Sequence, residues 1–243
     1  MDSILTTMKD ESFGLGWRPG AGRSGEDRAR AGRRSFLGRG AAAAAAAVAA
    51  FVGRDARAQN PHYLPSLYPN ENVHEFQAIQ KHENAHVAFL VNALGTDARP
   101  NPSFVDLTQP DLLTFAKTTR ALENTGVGAY LGAAPYLSSK DYLAAAGSIF
   151  GIEARHAGYA NVLLNMLMSV NVNGQEESFD SPLTADQVVA LAGPFITSLN
   201  GGPPLTYSTT NLGPANDLMI LNFALALEYL EAAFYNINVP RFT

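Results

Sequence analysis

The sequence predicts an all-α fold, a four-helix bundle with a polar centre, and three observations carry that expectation. Four segments show the 3.6-residue apolar periodicity of helices facing a core, and each has a carboxylate on its apolar stripe. Two of them share a Glu-x-x-His pattern, Glu83 with His86 and Glu153 with His156, a spacing that sets both side chains on one helix face. One short turn and two long, irregular links join the four segments.

The chain opens differently from the way it continues. Up to Gly32 it is rich in Gly, Arg and Ser without periodicity, which reads as disorder. Arg33 and Arg34 then precede Ser35-Phe36-Leu37, an Ala-rich apolar run from Gly40 to Val52, and the small-x-small site Ala56-Arg57-Ala58. These are the three parts of a secretory signal, and the paired arginines resemble a twin-arginine signal. The apolar run is too short for an ordinary membrane span. The expectation is a chain exported by the twin-arginine machinery, periplasmic or extracellular, starting at Gln59 and without stable membrane insertion after processing.

Residues 1–58 hold 10 of the 17 basic and 6 of the 22 acidic residues, which leaves 7 basic against 16 acidic in the remainder. That balance argues against nucleic acid or an anionic membrane as a partner. Cysteine is absent, so disulfides and thiolate metal sites are excluded.

Residues 59–70 are Pro-rich and read as a linker to a bundle over 71–236. The first helix is expected from Glu71 to Leu94, with Asn70 as N-cap and Gly95 as stop. Its stripe is Val73, Phe76, Gln80, Glu83, Val87, Leu90 and Leu94, with His86 beside Glu83. An irregular stretch, Thr96 to Gln109, leads to a second helix that takes Pro110 into its first turn and ends at Ala134, before Pro135. Its stripe is Leu112, Phe115, Thr119, Glu123, Gly126 and Tyr130. The third helix opens at Ser138, with Asp141 three residues on as in a capping box, and is expected to run to Met168. Tyr142, Ala146, Ile149, Glu153, His156, Ala160 and Leu163 form its stripe. Ser169 to Pro214 is a 46-residue excursion with one short helix, Ala185 to Ala192, opened by Thr184 and Gln187. The last helix, Ala215 to Asn236, is expected to stop before Pro240 and leave 237–243 as a tail. Its stripe is Leu218, Leu221, Leu225, Glu228, Ala232 and Tyr235, with Glu231 towards the edge.

The chain also repeats itself. Ala121-Leu122-Glu123 matches Ala226-Leu227-Glu228, and a tyrosine follows each Glu by seven residues, Tyr130 and Tyr235. Seven residues is nearly two helical turns, so each tyrosine shares its Glu's face. A Glu-x-x-His helix followed by an Ala-Leu-Glu helix therefore occurs twice, which predicts a pseudo-twofold bundle with a half-site from each half.

At ALENTGVGAYLGAAP, GIEARHAGYANVLL and ILNFALALEYLEAAFY the chain resembles the ferritin-like domain family that includes the desiccation-related proteins. In that fold the helices follow the order Glu, Glu-x-x-His, Glu, Glu-x-x-His; here the segment resembling the first helix comes last, so the resemblance implies a circularly permuted order. Two connections must then cross the bundle. A 20-residue helix is ~30 Å long, and Gly95 to Gln109 could extend ~50 Å at ~3.3 Å per residue; Ser169 to Pro214 is longer.

Carboxylates in a dry core cannot all stay ionised without compensating cations. Glu83, His86, Glu123, Glu153, His156 and Glu228 are therefore expected to form one site for two metal ions, with Glu123 and Glu153, or their symmetry mates, as bridges. The alternative is a metal-free buried network. Oxygen and imidazole donors without thiolate suit iron or manganese, and ligand type alone leaves zinc open. Tyr130 and Tyr235 either hydrogen-bond to ligands or pack in the core, and Glu231 is expected as an outer or rim carboxylate. His82, Arg155 and the Glu71/His74 pair read as surface residues, and His62 falls in the linker. The expected function is an exported dimetal protein with oxidase or peroxide-handling activity in stress protection. Its rival is a non-catalytic desiccation-related structural protein with a vestigial site. A homo-oligomer that exchanges the last helix is the main structural alternative.

Overall fold

The computed structural model describes residues 65–67 and 69–242. The stretch read as disorder and export signal, and most of the 59–70 linker, lie outside the described residues. Among these, five α-helices occur: α1 Glu71–Leu94, α2 Leu112–Ala133, α3 Lys140–Leu163, the short α4 Ala185–Ala192, and α5 Pro214–Phe242. The four long ones form the expected bundle.

Contacts between side chains set the helix directions. Near their starts α1 and α2 meet through Phe76 and Phe115, with ring centroids 4.7 Å apart. Near their ends Leu90 and Leu94 pack with Tyr130, so α1 and α2 run parallel. Gln80 of α1 donates to the Asn236 side chain of α5, whereas Leu90 and Leu94 meet Leu221 and Leu225; this pair is antiparallel. The turn at residues 134–139 folds α3 back along α2, and α3 therefore runs parallel to α5. Both 95–111 and 164–213 must consequently travel the length of the bundle, as their lengths allow.

The two links are tied to each other and to α5. Strand β1 (Ser103–Phe104) pairs antiparallel with β2 (Ile196–Ser198), Ser103 opposite Ser198 and Phe104 opposite Ile196. The buried Arg99 guanidinium donates to the carbonyls of Asn222 and Pro203 at 3.0 and 3.1 Å. Asn222 accepts from the Arg99 backbone N–H, and Asn238 does the same for Gln109, so two asparagines of α5 hold the two ends of the first link. The second link crosses α2 where a Cβ on Gly132 would lie 1.8 Å from the Leu183 carbonyl oxygen, and only glycine fits there.

Several boundaries differ from the sequence expectation. Asp111 caps α2 by accepting from the Thr114 N–H at 2.8 Å, which leaves Pro110 outside the helix. Ser139, not Ser138, caps α3. Ser138 is engaged instead by buried Asp217 of α5, to which its N–H and hydroxyl both donate. Helix α3 stops at Leu163 rather than Met168, because the Asn161 amide donates to the carbonyls of Met168 and Val170 and turns the chain back. The expected tail 237–243 is helical through Phe242. Proline is tolerated within that last turn because Phe242 packs on Phe115, with centroids 5.4 Å apart. The short helix α4 has its expected capping box.

Among the described residues α5 is the one helix long and apolar enough to cross a membrane, yet most of its apolar window is buried inside the bundle. The core has two apolar clusters. One surrounds Phe76, Phe115, Phe234 and Tyr235. The other surrounds Leu90, Leu94, Ile149, Leu221 and Leu225. Between them lies a polar layer.

Candidate metal centre

The polar layer consists of Glu83 and His86 from α1, Glu123 from α2, Glu153 and His156 from α3, and Glu228 and Glu231 from α5, all buried. Each of the six residues singled out from the sequence therefore points into one place. Helical spacing accounts for the two Glu-x-x-His pairs, and the opposed helix directions bring the four carboxylates to one level.

Both imidazoles face inward through Nδ1. His86 Nδ1 lies 3.3 Å from Glu83 Oε2, 3.1 Å from Glu153 Oε1 and 3.2 Å from Glu228 Oε2. His156 Nδ1 lies 3.0 Å from Glu83 Oε1 and 3.2 Å from Glu123 Oε2. A nitrogen carries one proton at most, so it cannot satisfy every oxygen around it. Glu83 Oε1, both oxygens of Glu153, and Glu228 Oε2 are buried without a hydrogen-bond partner. Such orphaned acceptors are costly and fit the residues to cations.

Two overlapping groups have ligand atoms within 4.8 Å of one another: Glu83, His86, Glu153 and Glu228, and Glu83, Glu123, Glu153 and His156. The carboxylates common to both are Glu83 and Glu153. The sequence expectation is Glu123 and Glu153, or their symmetry mates, as bridges; Glu153 and its mate in the repeat, Glu83, are the two that both groups share. The shared pair comes from the two Glu-x-x-His helices, and Glu123 and Glu228 sit at opposite ends.

The tyrosines are crossed rather than local. Tyr130 donates to Glu228 Oε1 at 2.5 Å, and Tyr235 donates to Glu123. Each hydroxyl thus orients the carboxylate of the other Ala-Leu-Glu helix. Glu231 is deeper than the expected rim position. A Cβ on Gly126 would meet Glu153 Oε2 at 2.9 Å and Glu231 Oε1 at 3.4 Å, so the missing side chain at 126 makes room for both carboxylates. His82 also departs from the solvated reading: it is half-buried, and its Nδ1 lies 3.0 Å from His156 Nε2. His82 stands four residues before His86, a spacing that sets both on neighbouring positions of one helix face, and that was the signal that could have found it. His74 and Arg155 are exposed, as expected, and His62 lies outside the described residues.

Without metal the layer neutralises itself with protons. Burial alone would lower His86, but Glu228 and Glu83 push it up to about 10. For His156 burial is likewise outweighed, by Glu123 and Glu83, and it too rises to about 10. Glu83 is opposed by burial, yet the His156 and His86 imidazoles hold it at about 2. Burial and then the neighbouring carboxylates, Glu83 first, raise Glu153 well above the usual range. Glu231 is raised by burial and Glu123, and Glu228 reaches about 7, mainly through burial.

These shifts give the metal-free protein a defined pH dependence. The imidazoles, raised from 6.5 to about 10, contribute stability that is complete below 6.5 and lost as pH rises through 10. Glu153 and Glu231, raised from 4.5, act in the same direction above 4.5. Glu83, lowered from 4.5 to about 2, contributes stability present above 4.5 and lost as pH falls through 2. The melting temperature of chelator-treated protein should therefore be highest near pH 4.5 and fall from there to about pH 10. Thermal melts across that range check this, and a temperature that rises above neutrality would contradict it.

Comparison with known proteins bears on the same residues. The profile of the ferritin-like domain matches residues 40–166, a little over half of the chain. The matched range takes in α1, α2 and α3, with five of the six predicted site residues, and stops before α5 and Glu228. No curated protein and no solved structure matches the chain.

Proposed function

The chain belongs to the ferritin-like domain family, and on that footing we propose that it is an exported protein with a dinuclear iron or manganese centre. The observation that carries this reading is His86 Nδ1 at 3.1 to 3.3 Å from three carboxylate oxygens of three helices. A single N–H cannot serve three acceptors, whereas a divalent cation can.

One ion would be held by Glu83, His86, Glu153 and Glu228, the other by Glu83, Glu123, Glu153 and His156, so that Glu83 and Glu153 would serve both. Donors limited to oxygen and imidazole suit iron or manganese. When bound, such a pair of ions supplies the electrons for reducing dioxygen or peroxide. The chain's own residues supply the setting. Tyr130 and Tyr235 hold Glu228 and Glu123 in orientation, Glu231 stands beside Glu153 where Gly126 leaves room, and the two apolar clusters keep bulk water away.

The helix order in the chain, Glu-x-x-His, Glu, Glu-x-x-His, Glu, supports a circular permutation of the family's arrangement. The paired arginines and the small-x-small site support twin-arginine export, and the resemblance to the desiccation-related proteins supports a role in stress protection. The acidic mature chain fits neither nucleic acid nor stable membrane insertion. A second reading, a structural protein with little or no metal, is favoured by the proton balance of the layer, since the two imidazoliums face ionised Glu83 while Glu153 and Glu231 are held neutral, so that protons offset much of the buried negative charge without cations.

Expression of the full chain distinguishes them. The protein should be recovered outside the cytoplasm with Gln59 at its N-terminus. After anaerobic loading it should retain about two iron or manganese ions, and the iron-loaded form should consume dioxygen or peroxide. Little or no retained metal supports the structural reading and sinks the dinuclear centre; retained metal without consumption leaves the centre and removes the oxidase and peroxide activities.

A further inference from the structure

We propose that His82 is a positioning residue for one of the two metal positions, that of His156, and thereby makes the positions inequivalent; this rests on the dinuclear reading. The His156 ring presents Nδ1 to Glu83 and Glu123, and its other nitrogen, Nε2, lies 3.0 Å from His82 Nδ1. The ring planes of His82 and His156 are within 5° of parallel, with centroids 5.3 Å apart. An imidazole that ligates through Nδ1 keeps its proton on Nε2, and a fixed acceptor for that proton sets both the tautomer and the ring orientation. His82 Nδ1 is that acceptor. With His82 neutral its remaining proton sits on its own Nε2, so the pair forms one hydrogen bond of defined sense, from His156 to His82.

The other half of the site has no such partner. The residue before Glu83 is His82; in the repeat, the residue before Glu153 is Ile152, which has no acceptor to offer. Among the described residues no hydrogen bond to His86 Nε2 is found; its interactions run through Nδ1. The pseudo-twofold repeat is therefore broken just outside the ligands, on one side only. The His156 position should bind its ion more tightly and fill first.

Titration of the full metal-free chain with manganese, followed by calorimetry and by the electron paramagnetic resonance of bound Mn(II), tests this. Wild-type protein should show two unequal steps and, when full, the signal of a coupled pair. His82→Leu, which removes the acceptor, should weaken the tighter step roughly 10- to 100-fold and leave the other unchanged. His82→Asn, whose side-chain oxygen can stand near the place of Nδ1, should restore most of the loss. Equal affinities in wild type and His82→Leu, or equal weakening of both steps, would overturn the inference, as would a His82→Asn variant no better than His82→Leu. If the leucine variant fails to fold, the asparagine variant and the two wild-type steps decide alone. A wild-type chain that binds no manganese or iron overturns the dinuclear reading itself, and this inference with it.

Discussion

Glu83→Gln and Glu153→Gln should each empty both metal positions, whereas Glu123→Gln and Glu228→Gln should each cost one. The difference follows from geometry, because Glu83 and Glu153 belong to both ligand groups and Glu123 and Glu228 to one each. Glutamine keeps the volume and removes an anion. The loss in affinity should exceed the roughly 10- to 100-fold that changes outside the ligand set cost. Glu153 also separates a metal effect from a folding effect. Its carboxyl is held neutral in the metal-free protein by burial and the carboxylates around it, so Glu153→Gln should melt, metal-free, near the wild-type temperature while binding almost nothing. Metal analysis beside thermal melts provides the check, with Glu71→Gln as a control that should retain both ions. Equal metal loss in all four variants would remove the distinction between shared and terminal carboxylates.

Truncation after Gly213 should abolish the monomeric fold. Helix α5 buries Ile220, Leu221, Leu225, Leu227, Leu230, Phe234, Tyr235 and Val239, and each such side chain contributes about 1.5–3 kcal/mol on burial. Even the lower figure, taken over eight residues, reaches the range of about 5–15 kcal/mol that covers the whole stability of a domain. Truncation also removes Asn222 and Asn238, which hold the ends of the first link, and Asp217, which holds the turn before α3. Circular dichroism and size-exclusion chromatography should show an unfolded or associated chain. A truncated monomer that melts cooperatively at the full-length temperature would mean that α5 is not integral. Full-length protein that elutes as a dimer would instead favour exchange of this helix between protomers.

Much of this was legible in the sequence, for a definite reason. Helical period is local, so a polar residue on an apolar stripe can be recognised from its neighbours alone, and Glu83, Glu123, Glu153, His156 and Glu228 are each legible that way, with His86 marked by its spacing of three from Glu83. The need for two long crossings was legible because chain length bounds reach. Boundaries were less so: Ser138 has the chemistry of a cap, but Asp217, 79 residues away, claims it first, and Pro240 does not end α5 because Phe242 has a distant surface to pack on.

What the tertiary structure alone decided is which helix serves which. The sequence placed each tyrosine on the face of its own Glu, but a side chain two turns along a helix is too far away to reach that Glu, and the antiparallel neighbour brings the other one within 2.5 Å of Tyr130. The shared carboxylates, the depth of Glu231 and the contact of His82 with His156 have the same origin. Periodicity determines the direction in which a side chain leaves its helix; the level at which it meets another is set by packing between helices, and no local pattern records it.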